Sequence, residues 1–262
     1  MAESSDRKNL APPLPRPTFR EPLPGTWLYL GLTVDPRTLG PKVRRSAERT
    51  RVIARCHDLL DGLGVGDRGV LATATVLQTV LIPPLRGVPR FDVVVLARAE
   101  DGAGEDGAGL EDGGGPLAAI RAAFEADGVS VTETMTARNV RRFGDTEATQ
   151  DATFLLNHFT APDADDAQAV WEDISGWYAG VLGVDNSALL RPVSPAPYAL
   201  VNYVRLAGAP VPFLRLPIAA EGPPGPWRRT RRGPPVPRRA GRVRRCRVRR
   251  RRRWAGTSRR TR

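Results

Sequence analysis

Hydrophobic residues follow two rhythms along this chain, and the switches between them predict its elements. Trp27-Leu28-Tyr29-Leu30-Gly31-Leu32-Thr33-Val34 is rich in strand formers and stops at Asp35-Pro36. Over residues 43–63 the period lengthens: Val52, Ile53, Cys56, Leu59, Leu60 and Leu63 recur at helical spacing, with Gly62 and Gly64 ending the run. Two strand-like runs follow, Val70–Ile82 (cut by Pro83-Pro84) and Phe91–Arg98. An acidic, glycine-rich loop at 100–115 has spacing that matches no calcium-binding pattern. Pro116–Ala126 is predicted to be a helix opened by its proline, and Val129–Met135 a strand.

After a charged stretch at 137–152, predicted to be a connector, the order restarts. Thr153–Thr160 is strand-like, and Asp163–Leu182 is a helix with acids at its start and Val170, Trp171, Ile174, Trp177, Tyr178, Val181 and Leu182 on one stripe. Ser187–Val193 and Tyr198–Leu206 complete the pattern as strands. The elements give β-α-β-β-α-β over residues 26–136 and β-α-β-β over 153–218. The fold class is therefore α+β, with two tandem ferredoxin-like units, the second incomplete. In both halves the first helix runs into the same tripeptide, Leu63-Gly64-Val65 and Leu182-Gly183-Val184. Two unrelated halves are the alternative.

Charge changes the picture at the C-terminus. The net charge of +12 is an average over unlike parts: residues 219–262 hold 18 Arg and one acid, and the preceding body is mildly acidic. This tail has no periodicity of either kind, so it is expected to be disordered, although the second unit lacks a helix and a strand there. Two origins are open: a change of reading frame in a GC-rich gene, leaving a product without intact activity, or a genuine polycationic segment. In the second case nucleic acid or another anionic surface is the partner, held through the tail alone, with Trp227 and Trp254 able to stack on bases. Residues 1–25 carry six prolines and no apolar signal core, and are expected to be a disordered arm on a cytoplasmic protein with no membrane partner.

The tandem strand–helix–strand–strand order over residues 27–206, with Phe154-Leu155-Leu156-Asn157-His158-Phe159 and the Trp177-Tyr178 helix, resembles the dimeric α+β barrel superfamily, in a tandem-repeat form like that of actinobacterial proteins. That superfamily includes the antibiotic-biosynthesis monooxygenase-like proteins. The resemblance implies a barrel-like pair of sheets, from two halves or from a homodimer, with a lumen that takes a hydrophobic aromatic molecule. It implies a cofactor-independent oxygenase or cyclase acting on an aromatic polyketide-like substrate, or a binding protein for one.

Candidate site residues come from polar groups embedded in apolar strands, which need partners if buried. His158 is the single imidazole in a predicted strand and is the candidate general base. Alternation puts it with Phe154 and Leu156, and Asn157 with Leu155 and Phe159. Asn157, Asn202 and Tyr203 are the candidate substrate-binding residues; a core histidine and loop-satisfying amides are the competing reading. No cofactor or metal is expected: two cysteines and two histidines leave little for a metal centre, and no phosphate loop or nucleophile elbow is present.

Overall fold

The computed structural model describes residues 14–63, 71–82, 89–100, 116–147, 152–206 and 242–245. Its strands are β1 (Thr26–Leu32), β2 (Thr38–Leu39), β3 (Lys42–Val43), β4 (Leu71–Leu81), β5 (Val93–Ala99), β6 (Glu133–Phe143), β7 (Thr153–Phe159), β8 (Ser187–Pro192), β9 (Leu200–Leu206) and β10 (Arg242–Arg245). Three helices accompany them: α1 (Ala47–Gly62), α2 (Pro116–Ala126) and α3 (Ala164–Leu182). None of the described helices is long and apolar enough to cross a membrane.

All strand pairs are antiparallel, and the sheet runs β10-β7-β9-β8-β6-β1-β5-β4-β3-β2. Its first-half strands lie in the order β6-β1-β5-β4, which is the 4-1-3-2 order of a ferredoxin-like unit. The second half begins the same way, β7-β9-β8, and β10 stands beside β7 where a fourth strand would. β10 also pairs with β4, so the sheet closes on itself and β2–β3 extend from β4 as a side hairpin.

Closure explains why the strands are apolar on both faces. Every residue of β1 and β7 is buried. Leu28, Leu30 and Leu32 face outward and pack beneath α1 and α2 with Ile53, Cys56, Leu60, Ile120 and Phe124. Fully burying each such side chain contributes about 1.5–3 kcal/mol. Leu155, Phe159, Leu200 and Val204 do the same beneath Ala167 and Trp171 of α3. The other faces meet inside the ring, where Trp27, Tyr29, Leu96, Met135, Phe154, Leu156, Val201 and Tyr203 form one cluster. Helix ends follow local chemistry. Ser46 caps α1; the Asp163 carboxylate accepts from the backbone N–H groups of Asp165 and Asp166 at 2.7 and 3.0 Å; Gly183 ends α3 in the left-handed region.

Three sequence expectations are corrected. The connector proposed at 137–152 is strand as far as Phe143, because β6 serves both halves: Thr26–Gly31 pair with its first part and β8 with its second. Its exposed or half-buried Arg138, Arg141 and Arg142 disguised a strand whose Ala137 and Phe143 are buried. Within the tail expected to be disordered, Arg242–Arg245 is a strand, since β4 and β7 each offer an open edge and backbone pairing does not require side-chain periodicity. The rest of the tail lies outside the described residues, as do most of the glycine-rich loop and Gly64-Val65.

The third correction is the described part of the N-terminal arm expected over residues 1–25; residues 1–13 lie outside the described residues. Residues 14–25 are an extended strap along α3, not a free leader. Arg16 reaches Asp173 at 2.5 Å and Glu172 at 3.3 Å, Phe19 packs on Trp171, and the Arg20 N–H donates to the Arg142 carbonyl at 2.9 Å. Prolines suit a strap that must lose little backbone freedom on docking. The seat is made by Gly176, where a Cβ would stand 2.7 Å from the Leu14 carbonyl oxygen and 2.8 Å from that of Pro15. Gly176→Val is therefore expected to release the strap at a cost of about 1–3 kcal/mol. Limited proteolysis checks this: cleavage within 14–25 should rise many-fold while the barrel survives, and unchanged protection would show that the strap is held elsewhere.

Candidate functional site

One end of the ring interior collects aromatic and titratable side chains from four separate segments. β1 supplies Tyr29 on the inward face, flanked by Trp27 and Gly31. β7 supplies His158, two residues beyond the inward-facing Leu156. Phe91 precedes β5 and Tyr198 precedes β9. The Tyr29 hydroxyl lies 2.8 Å from Nε2 of His158. The imidazole centroid is 4.6 Å from the Tyr198 ring, 5.5 Å from Tyr29 and 6.4 Å from Phe91. Gly31 makes this possible, since a Cβ there would meet the Phe91 ring at 2.7 Å.

Burial sets the electrostatics. His158 is 4% exposed, and the loss of water around it pushes its pKa down to about 3, so the ring is neutral at ordinary pH. The Tyr29 phenol, fully enclosed, is pushed well above its usual value, first by burial and then by the neighbouring Tyr198 and Glu133. Tyr198, half-buried, is pushed up to about 12, by burial and then by Glu133. Glu133, half-buried at the start of β6, is itself raised by desolvation.

Among the described residues, polar atoms on the inward face that lack a hydrogen-bond partner include two on β1 and β7. His158 Nδ1 is buried without a hydrogen bond, and so is the indole nitrogen of Trp27, two residues before Tyr29 on the same face. A buried unpaired donor or acceptor costs about 1–3 kcal/mol. A molecule held beside these atoms would meet them with its polar edges. Among the described residues, no group of three or more His, Cys, Asp or Glu could hold a metal ion.

The sequence-predicted residues separate into two pairs. His158 and Tyr203 both face the interior; Tyr203 stands opposite Leu156 and stacks on Phe154 at 5.0 Å. Asn157 and Asn202 face each other across β7 and β9, but on the other side of the sheet, beneath α3. The Asn202 carbonyl oxygen accepts from the Ser187 hydroxyl at 2.5 Å. These two amides therefore lie apart from His158, and no ligand reaches both faces at once. Tyr29, Phe91, Tyr198 and Glu133 were missed. The available signal was the first strand itself, where Trp27 and Tyr29 alternate with three leucines and so mark one face with polar tips.

The other histidine and the nearby thiol are no rival site. Burial pushes Cys56 up to about 12 and lowers His57, and their side chains leave α1 in different directions.

No protein-family model matches this chain, and no curated protein matches it. Among the solved structures similar in backbone arrangement are the following two. One is a candidate chlorite dismutase, 8% identical with a TM-score of 0.47 over 85% of this chain and 94% of that one. The second is a candidate monooxygenase from Lactobacillus acidophilus NCFM, 11% identical with a TM-score of 0.36 over 71% of this chain and 78% of that one.

Proposed function

We propose that the chain is a duplicated α+β barrel that binds a planar, largely apolar small molecule inside the ring, against the Tyr29–His158 pair. The observation that carries this reading is the orphaned Nδ1 of a histidine that is otherwise enclosed by aromatic rings. The duplication is supported by the 4-1-3-2 strand order of the first half and by the β10-β7-β9-β8 order of the second. It accords with the family resemblance drawn from the sequence, in which two such units share one lumen.

Binding is better supported than turnover. An oxygenase or cyclase acting on an aromatic polyketide-like substrate would need His158 to take a proton from that substrate. A histidine pushed down to about 3 is a weak base in the unliganded protein. Its neutral form is instead a stable hydrogen-bonding partner, which is what ligand recognition requires. Proton abstraction becomes feasible only with a substrate whose own developing negative charge stabilises the imidazolium beside it.

Calorimetric titration of the full chain with planar aromatic ketones tests the proposal. One molecule per chain should bind, and His158→Ala should weaken binding by about tenfold or more. The absence of binding, or binding indifferent to His158, would remove the site.

A further inference from the structure

We propose that the phenol ring of Tyr198 occupies the seat of the ligand's leading aromatic ring, against His158, and that residues 194–198 are the door through which the ligand displaces it. The inference rests on the lumen being a ligand site. It adds the way in and the ligand feature that is recognised there, one aromatic ring about the size of a phenol. Three observations carry it.

The first is the layering around the imidazole. His158 is 4% exposed, and the Tyr198 ring is the nearest of the three rings around it, at 4.6 Å against 5.5 Å for Tyr29 and 6.4 Å for Phe91. Tyr29 and Phe91 are buried, whereas Tyr198 is only half-buried. Tyr198 is therefore the layer between His158 and solvent at this end of the ring.

The second is how that layer is held. Tyr29 belongs to β1, but Tyr198 belongs to the connection between β8 and β9. This connection is pinned at both ends: the Val193 N–H donates to the Thr136 carbonyl at 2.9 Å and the Ala199 N–H to the Phe159 carbonyl at 2.8 Å. Between the pins, residues 194–198 make no backbone hydrogen bond among the described residues. Ser194, Pro195 and Pro197 are exposed, while Ala196 and Tyr198 pack against the interior cluster. Two prolines stiffen the segment, so it moves as one piece between fixed points.

The third is the balance of the exchange. A half-buried ring gives up less burial on leaving than an enclosed one, and an incoming planar ring restores the contact with the imidazole. Displacing Tyr29 instead would also break its 2.8 Å contact with Nε2 of His158.

The full chain tests this, with Tyr198→Gly leaving a gap the shape of a phenol. By calorimetry, one molecule of p-cresol, the tyrosine side chain as a free compound, should bind per Tyr198→Gly chain. Its binding to the native chain and to Tyr198→Phe, whose ring keeps the seat, should be about tenfold weaker or less. 2-Acetonaphthone should bind Tyr198→Gly several-fold tighter than the native chain, since nothing has to leave. A second readout needs no ligand: carbethoxylation of His57 and His158 by diethyl pyrocarbonate, mapped by mass spectrometry. Relative to His57, His158 should react about tenfold faster in Tyr198→Gly. It should react several-fold faster in Pro195→Gly/Pro197→Gly, which loosens the door and keeps the ring. Equal p-cresol affinity in the native and Tyr198→Gly chains, or weaker ketone binding by Tyr198→Gly, would overturn the displacement and make Tyr198 a fixed wall of a site that still stands. Unchanged His158 reactivity in both variants would overturn the door. If neither p-cresol nor the ketone binds any of these chains, the ligand site itself falls and the inference falls with it.

Discussion

Asp92→Ala should lower the stability of this protein by about 3–5 kcal/mol, the cost of leaving a buried charge without its partner. Asp92 has no exposed surface, and the Arg49 guanidinium beside it is 1% exposed. The carboxylate accepts from the backbone N–H groups of Val34 and Asp35 at 2.7 and 2.8 Å and from Arg49 at 3.3 Å. Arg49 in turn donates to the carbonyls of Asp35 and Arg44. One knot therefore joins the end of β1, the approach to β5, the turn into the β2–β3 hairpin and the first turn of α1. Urea unfolding gives the measurement, with Arg55→Ala as the control. Arg55 pairs with Asp127 at the surface, and its loss should leave the midpoint nearly unchanged. Replacing both partners, Arg49→Met with Asp92→Leu, should recover a large part of the deficit. A single-variant cost no greater than that of the control would mean that water or a neighbour compensates Arg49 and that the knot is not the organising feature.

None of that knot was legible in the sequence, and the reason is physical. Periodicity reports which face of an element is apolar, and it located β1, α1, β4, β5, α2, β7, α3, β8 and β9 to within a few residues. Arg49 and Asp92 are charged residues in positions where charge ordinarily means solvent, and only their pairing across 43 residues of sequence makes burial affordable. β6 was half-legible for a similar reason. Its C-terminal part leaves β1 to pair with β8, and its arginines lie among buried residues in a stretch that composition alone reads as a connector. The closing strand β10 has no pattern of its own, and only the two open edges on either side of it give it a place.

The candidate site shows where alternation stops helping. It sorted His158 from Asn157 and Tyr203 from Asn202, because a strand's period is two. It could not say which face was the interior, since both faces of β7 and β9 are buried. The structure answers with the helices: α3 covers the asparagine face, so the interior belongs to His158 and Tyr203. Tyr29 lies 129 residues from His158, and no local rule brings the two together.

The buried imidazole also makes the fold acid-sensitive in a way that can be separated from its carboxylates. His158 ordinarily titrates near 6.5 when unfolded and is pushed down to about 3 in the folded protein. Between these values the unfolded chain binds a proton that the native state refuses, so native stability falls as pH falls. The loss begins as pH drops through about 6.5 and grows by about 1.4 kcal/mol per unit until about pH 3. Above pH 7 both states are neutral at this position and the contribution vanishes. His158→Gln supplies the comparison, because the amide carbonyl can still accept from the Tyr29 hydroxyl but carries no proton of its own in this range. Urea midpoints for the two proteins at pH 7.5 and 4.5 give the difference of differences. The native protein should lose about 2–3 kcal/mol more than the variant over that interval, the remaining titrations being common to both. Parallel pH profiles would mean that His158 is protonated in the folded state, with water or a counter-ion inside the ring, and the neutral hydrogen-bonding role assigned to it would be wrong.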